Sequence, residues 1–147
     1  MTEKFSEDYP QEKYPELMLK LGRAYTCLFV QTEYGYTVCV PFRSSIQHKN
    51  AYIFKHSKRS QHTRSGLDYS KMVLVADTTY ICDEIAVVDQ DEYNETIKNI
   101  DKIISEVLRY IDDYVAYQKG LAQMAQREYQ RKYRYSTLMY FHDLLNL

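Results

Sequence analysis

A chain of 147 residues with a formal charge of −1 fits one domain that can bury a core of its own. Apolar residues make up 45% and charged residues 27%, and 20 acids against 19 Lys plus Arg exclude a globally basic nucleic-acid coat and an acidic tail. The longest apolar runs, such as MVLVA at 72–76, fall far short of the roughly 20 residues a bilayer span needs, so no membrane partner is expected. The first eight residues lack the apolar stretch of a signal peptide, and three Cys with no CxxC suit a reducing compartment; a cytoplasmic protein is expected.

Residues 1–20 are polar, with a short helix expected at 16–21 before Gly22. Residues 24–30 (AYTCLFV) and 36–42 (YTVCVPF) read as strands joined by a polar hairpin at 31–35. Centred on Glu33, that hairpin sets Cys27 opposite Cys39. A disulfide is then geometrically conceivable, but a reducing compartment favours two buried thiols. Pro41 lacks an N–H, so a strand end or a sheet edge is expected for it. Residues 51–54 (AYIF) suit a short strand. Residues 56–66 (HSKRSQHTRSG) hold no large apolar side chain and read as an exposed, mobile loop. Residues 71–76 read as a buried strand, and 80–82 with 85–88 as a second hairpin around Asp83-Glu84.

Apolar residues at 97, 100, 103, 104, 107, 108, 111, 114 and 115 trace one stripe at the helical period, predicting a long amphipathic helix over 90–117. Asp89, with Glu92 three residues on, resembles a capping box, and Gly120 is a natural stop. The many carboxylates of this helix are expected on its solvated face. Further helices are expected at 121–134 and 137–146. Strands first and helices last imply an α+β fold with an antiparallel sheet, a single domain over 1–147 whose residues 121–147 form a helical C-terminal extension. His142, beside Phe141 and Leu144, reads as a packing histidine.

The near-zero charge hides segregation. Residues 43–71 hold seven bases (Arg43, Lys49, Lys55, Lys58, Arg59, Arg64, Lys71) against one acid, Asp68. Residues 77–113 hold eleven acids against three bases, and residues 119–134 five bases against one acid. Two readings stand: a polyanion site on one face, or solvated faces that neutralise one another. His48, His56 and His62 lie too far apart for the tight ligand pairs of a zinc site, and no metal is expected. No Gly-rich phosphate loop, GxSxG elbow or HExxH motif occurs, and no cofactor is expected.

Residues 41–49 (PFRSSIQHK) follow a strand directly and gather Arg43, Ser44, Ser45, His48 and Lys49 within seven positions. Cleaving RNA at its 2′-hydroxyl requires activation of that hydroxyl, cationic donors on the phosphate and a proton for the leaving 5′-oxygen. These residue types suit those tasks. Ser44 and His48 are candidates for the proton network, with Arg43 and Lys49 on the phosphate. The basic loop (Lys55, His56, Lys58, Arg59, His62, Arg64) and the helix carrying Arg127, Arg131, Lys132 and Arg134 would hold RNA, together with Ser45 and Lys71. Tyr129, Tyr133 and Tyr135 interleave that helix's bases, as a stacking surface or as core. The bland alternative is that Ser44 and Ser45 cap a turn and the basic residues are only solvated.

Several segments in order resemble the ToxN/AbiQ-type toxins of type III toxin–antitoxin systems, notably the CptN and TenpN branches. They are residues 23–30 (RAYTCLFV), 36–49 (YTVCVPFRSSIQHK), 66–75 (GLDYSKMVLV) and the long helix after Val88. The likeness spans about residues 20–118. It implies a compact, twisted antiparallel β-sheet flanked by helices. It also implies a metal-independent endoribonuclease leaving a 2′,3′-cyclic phosphate. Its partners would be a small, repeat-derived pseudoknot antitoxin RNA that it processes and that inhibits it, and cellular or phage mRNA as substrate. The assembly would be a closed protein–RNA hetero-oligomer, with a possible role in abortive infection. By resemblance, Ser44 matches the family's active-site serine, Arg23 a basic residue near the scissile phosphate, His48 and Lys49 the basic pair after the turn, and Lys71 a strand lysine. Arg43 stands where some branches have Thr, and Ile46 where they have Lys. Two other classes stay open: a non-catalytic RNA-binding module, and a structural protein that docks a partner.

Overall fold

The computed structural model describes residues 1–18, 23–28 and 35–147. Its sheet is built around one long strand, β2 (Thr37–Arg43), in which Val38, Cys39, Val40 and Pro41 are all buried. One edge of β2 pairs antiparallel with β1 (Tyr25–Leu28) in the register Tyr25↔Pro41 to Leu28↔Val38. Cys27 therefore faces Cys39, as the hairpin reading requires. Of the helix expected at 16–21, residues 16–18 are not helical and 19–21 lie outside the described residues, as do residues 31–34 of the connection expected at 31–35.

The other edge of β2 is shared. Its first half pairs with β5 (Val73–Val75) and its last two residues with β4 (Gly66–Asp68), which in turn pairs with β3 (Ala51–Ile53). All pairings are antiparallel, and with helices before and after the sheet the fold is α+β with a helical C-terminus. Pro41 does not lie at a strand end or an outer edge. The Phe42 N–H points to β1, reaching the Ala24 carbonyl at 3.1 Å, so the Pro41 nitrogen points to the opposite edge. There it falls in the gap between β5 and β4, where no donor is needed.

Gly66 opens β4 against Ile53 of β3, and a Cβ there would stand 2.0 Å from the Tyr52 carbonyl oxygen. Only glycine lets the two strands approach so closely.

Helix α1 (Glu3–Asp8) forms inside the polar N-terminal segment, which was expected to start its helix later. Phe5 explains it. The ring is fully buried, stacked on Tyr9 at 4.7 Å and edge-on to Tyr80 at 5.3 Å. The hairpin expected around Asp83-Glu84 is absent. Residues 81–89 have no regular structure, and Ile85 and Val87 are almost fully exposed.

The long helix is two helices, α2 (Gln90–Lys98) and α3 (Ile100–Gln118), broken at Asn99 (φ −111°, ψ 20°). Asp89 caps α2, its Oδ1 accepting from Asp91 N and Glu92 N. Ile97 is exposed, at the edge of the apolar stripe, while Ile103, Val107, Ile111 and Tyr114 line the core. Gly120, at φ 69°, follows the end of α3.

Residues 121–125 are not helical, and α4 covers only Gln126–Tyr133. A 3-10 turn (Thr137–Tyr140) and α5 (His142–Leu145) complete the chain. This extension packs on its own sheet. Leu138 and Phe141 are buried, Tyr133 lies edge-on to Tyr114 at 5.1 Å, and Tyr114 meets His142 Nε2 at 2.7 Å, the packing role expected of that histidine. Among the described residues no helix is long and apolar enough to cross a membrane.

Candidate functional site around Asp68

The turn after β2 is fixed by its hydrophobic residue. Ile46 is fully buried, its N–H bonds the Arg64 carbonyl at 2.9 Å, and Ser45 is driven to φ 55°. Holding a serine in that left-handed region costs on the order of 1 kcal/mol. The burial of Ile46 offsets it, and Ser44 is left exposed at the outside of the turn. The Ser44 hydroxyl makes no hydrogen bond among the described residues.

Behind the turn lies Asp68, the single acid of the basic stretch. Its side chain is wholly buried at the end of β4. Arg43 Nη1 donates to Oδ2 at 2.6 Å, Ser70 Oγ and N donate to Oδ1 at 2.6 and 3.0 Å, and His48 Nε2 lies 3.2 Å from both oxygens. Burial alone would raise the carboxyl's pKa. The bonds from His48, Ser70 and Arg43 outweigh that and hold it below the ordinary value of 3.8. Asp68 is therefore a fixed anion that gathers a guanidinium, an imidazole and a hydroxyl.

His48 is engaged at both ring nitrogens. Nδ1 accepts from the Asn50 N–H at 3.2 Å, which assigns the proton of the neutral ring to Nε2, facing Asp68 and, at 3.3 Å, Ser70 Oγ. Lys71 completes the cluster. Its Nζ donates to the Tyr135 carbonyl at 2.7 Å. Burial lowers its pKa below the ordinary lysine value and Arg43 pushes the same way, against opposing pulls from Asp68 and Glu16.

Of the residues expected to carry chemistry, Arg43 and His48 thus meet on Asp68, and Ser44 adjoins Arg43 in sequence. Arg23 lies alongside, donating from Nη1 to the Phe42 carbonyl at 3.3 Å, with its buried Nε unpaired among the described residues. Lys49 is exposed and makes no contact with Asp68.

The basic loop is tied to the fold by buried groups and hydrogen bonds rather than wholly exposed as its composition suggests. Its Ser57 and Ser65 are buried. Arg59 forks onto Glu92 with bonds of 3.0 and 2.7 Å, Ser57 Oγ adds a third at 3.1 Å, and Glu95 accepts from the N–H groups of Lys55 and His56 and from Tyr52 OH. Glu92 and Glu95 are themselves buried, so these two carboxylates are not on a solvated face as expected. Arg64 Nη1 reaches the carbonyls of Ile46 and His48, both at 3.1 Å. Arg59 and Arg64 thus fix the loop, while Lys55, His56, Lys58 and His62 stay exposed.

On the C-terminal side, Arg127 and Arg131 are exposed, Arg134 stacks over Tyr135 at 5.1 Å, and Lys132 pairs with Asp113 at 2.7 Å. Tyr133 is core, Tyr129 half-buried, and Tyr135 is 60% exposed. Asn50 Nδ2 donates to the Lys132 carbonyl at 3.3 Å and Lys71 to Tyr135. Basic loop and basic helix therefore both meet the turn at 43–50.

Sequence reasoning overlooked Asp68 and Ser70. A signal for Asp68 was present: one acid among seven bases is an expensive charge to leave unused. Ser70 carried no comparable signal. Among the described residues no group of three His, Cys, Asp or Glu side chains is placed to hold a metal ion. Compared with known proteins, the chain matches no family, no curated protein and no solved structure.

Proposed function

We propose that the chain is an endoribonuclease toxin that needs no metal, cuts RNA to a 2′,3′-cyclic phosphate, and is restrained by a small structured antitoxin RNA that it processes. The observation that carries this reading is the cluster on Asp68: a guanidinium and an imidazole organised by one buried carboxylate, with a lysine beside them, behind an exposed serine turn. In the step proposed, the 2′-oxygen attacks phosphorus and the P–O5′ bond breaks. The exposed Ser44 hydroxyl accepts the 2′-proton while passing its own to water, and His48, held between Asp68 and the Asn50 N–H, orders the turn behind it. Arg43, whose Nη1 is spent on Asp68, offers its remaining N–H donors to the phosphate, with Arg23 as a further cation. Lys71, made more acidic by burial, supplies the proton for the 5′-oxygen. The ordered resemblance to type III toxins supports the inhibitory RNA.

One observation favours a second reading. Both ring nitrogens of His48 are engaged, as they would be in a non-catalytic RNA-binding module. A single experiment separates the two. The chain is expressed with its native upstream DNA and purified, and the bound nucleic acid is extracted and sequenced with end-group analysis. A discrete short RNA ending in a 2′,3′-cyclic phosphate and matching an upstream tandem repeat is expected. Bound RNA that the protein never cuts selects the binding module, and no retained RNA rejects both.

A further inference from the structure

An open cleft of about 220 Å³ lies beside the turn, lined in part by Lys49, Asn50, Glu106, Arg109, Tyr110 and Lys132. It adjoins the Asp68 cluster through one residue, since the Asn50 N–H holds His48 Nδ1. Arg109 is one of only three bases in the acidic stretch 77–113, yet it stands at this cleft rather than among acids that pair with it.

Arg109 forms no ion pair with the acids one turn away on its helix: Asp112, three residues on, lines a different pocket with Tyr36 and Lys119. Asp113, four residues on, takes Lys132 Nζ at 2.7 Å. Glu106, three residues back, accepts from Tyr69 OH at 2.7 Å with one oxygen and lies 3.8 Å from Lys102 with the other. Arg109 makes no ion pair among the described residues, and neither does Lys49 across the cleft. The Lys132 main chain that forms the far wall is fixed by Asn50 Nδ2 at 3.3 Å and Tyr110 OH at 3.0 Å. Two cations with no ion pair among the described residues thus line an open groove next to the candidate site, and the Glu106 carboxylate beside them is already bound by Tyr69 OH.

We propose that this cleft binds a phosphodiester of single-stranded RNA flanking the bond to be cut, with Arg109 gripping two phosphate oxygens and Lys49 adding a point charge. The proposal rests on the reading of the protein as RNA-directed. A guanidinium matches a phosphate's two oxygens as a fork, which a lysine does not, so this arginine is the specific element. Tyr69 and Tyr110 are buried here, which leaves backbone recognition rather than base stacking as the chemistry of the site.

The test uses a fluorescein-labelled, 2′-O-methyl single-stranded 12-mer that resists cutting. Its binding to the full chain is followed by anisotropy across a salt series, while cleavage of the unmodified RNA is measured separately. Each phosphate contact on a single strand contributes about 0.7 to the slope of log K against log salt. Arg109→Ala is expected to weaken binding roughly 5- to 20-fold at low salt and to flatten the slope by about 0.7, and Arg109→Lys to restore the slope but not all of the affinity. Arg109 is exposed, so its loss leaves the core intact.

Unchanged affinity and slope in Arg109→Ala, with wild-type protein binding and cutting RNA, overturns the cleft and leaves the ribonuclease reading standing. Wild-type protein that binds but never cuts, with the Arg109 effect present, rejects catalysis and supports the cleft. Inorganic phosphate that binds wild-type protein but not Arg109→Ala, with no Arg109 effect on the RNA, overturns the proposal in favour of a free-phosphate site.

Discussion

Replacing Asp68 by Asn tests the hub directly, because it removes the charge and keeps the shape. Asn retains one acceptor oxygen, which can still serve Ser70. The other position becomes an NH2 group facing Arg43 Nη1, now 2.6 Å from a carboxylate oxygen, and His48 Nε2 at 3.2 Å: donors against donors. Breaking a buried ion pair by altering one partner costs about 3–5 kcal/mol, and the 31% exposure of Arg43 moves the expectation to about 3 kcal/mol. For a domain of this size that is a fall in Tm of roughly 9 °C. The carboxyl's folded pKa lies below its unfolded one, so its contribution is full above about pH 4 and is lost as pH falls through the folded value. The gap between wild type and Asp68→Asn in urea unfolding should therefore be wide at pH 7 and close on acidification toward pH 2. A gap under about 1 kcal/mol at pH 7, or one that keeps its width down to pH 2, would refute the reasoning.

Three further outcomes are expected. If Lys71 is the acid, activity on RNA falls as pH rises through its pKa, and the alkaline limb begins below the ordinary 10.5; in Lys71→Met that limb disappears along with at least about 100-fold in rate, read from single-turnover pH profiles. Glu92→Gln weakens the fork that pins the basic loop, at about 1–2 kcal/mol given the exposure of Arg59, and hydrogen exchange should quicken at residues 57–63 while the amides of β2 stay protected. Gly66→Ala places a methyl 2.0 Å from the Tyr52 carbonyl and should cost more than about 3 kcal/mol, measured as lost thermal stability.

What was legible follows from what local patterns encode. The pairing of Cys27 with Cys39 could be read because a hairpin's register follows from its centre. The stripe from Ile103 to Tyr114 could be read because one face of α3 meets the core. The break at Asn99 could not, since period alone does not distinguish one helix from two that continue its direction. Nor could α1, whose only apolar anchor, Phe5, is held by Tyr80 from the far side of the sequence. The hairpin around Asp83-Glu84 failed for the opposite reason. Ile85 and Val87 alternate as a strand would, but no neighbouring strand is there to pair with them.

The site divides along the same line. Turn residues 43–49 stood out because diverse reactive groups were close in sequence, and the turn conformation followed from Ile46 seeking the core. The groups that organise them are distant in sequence. Asp68 reaches Arg43 across 25 positions, and Glu92 reaches Arg59 across 33. Such partners answer a charge balance rather than a motif: the basic stretch needs buried anions to fix its arginines, and the acidic stretch supplies Glu92 and Glu95 while Asp68 serves from within. Segregated charge along this chain is thus partly neutralised inside the fold. The cations that found no carboxylate stay at the surface, and the basic loop and the C-terminal helix both meet the turn that carries Ser44.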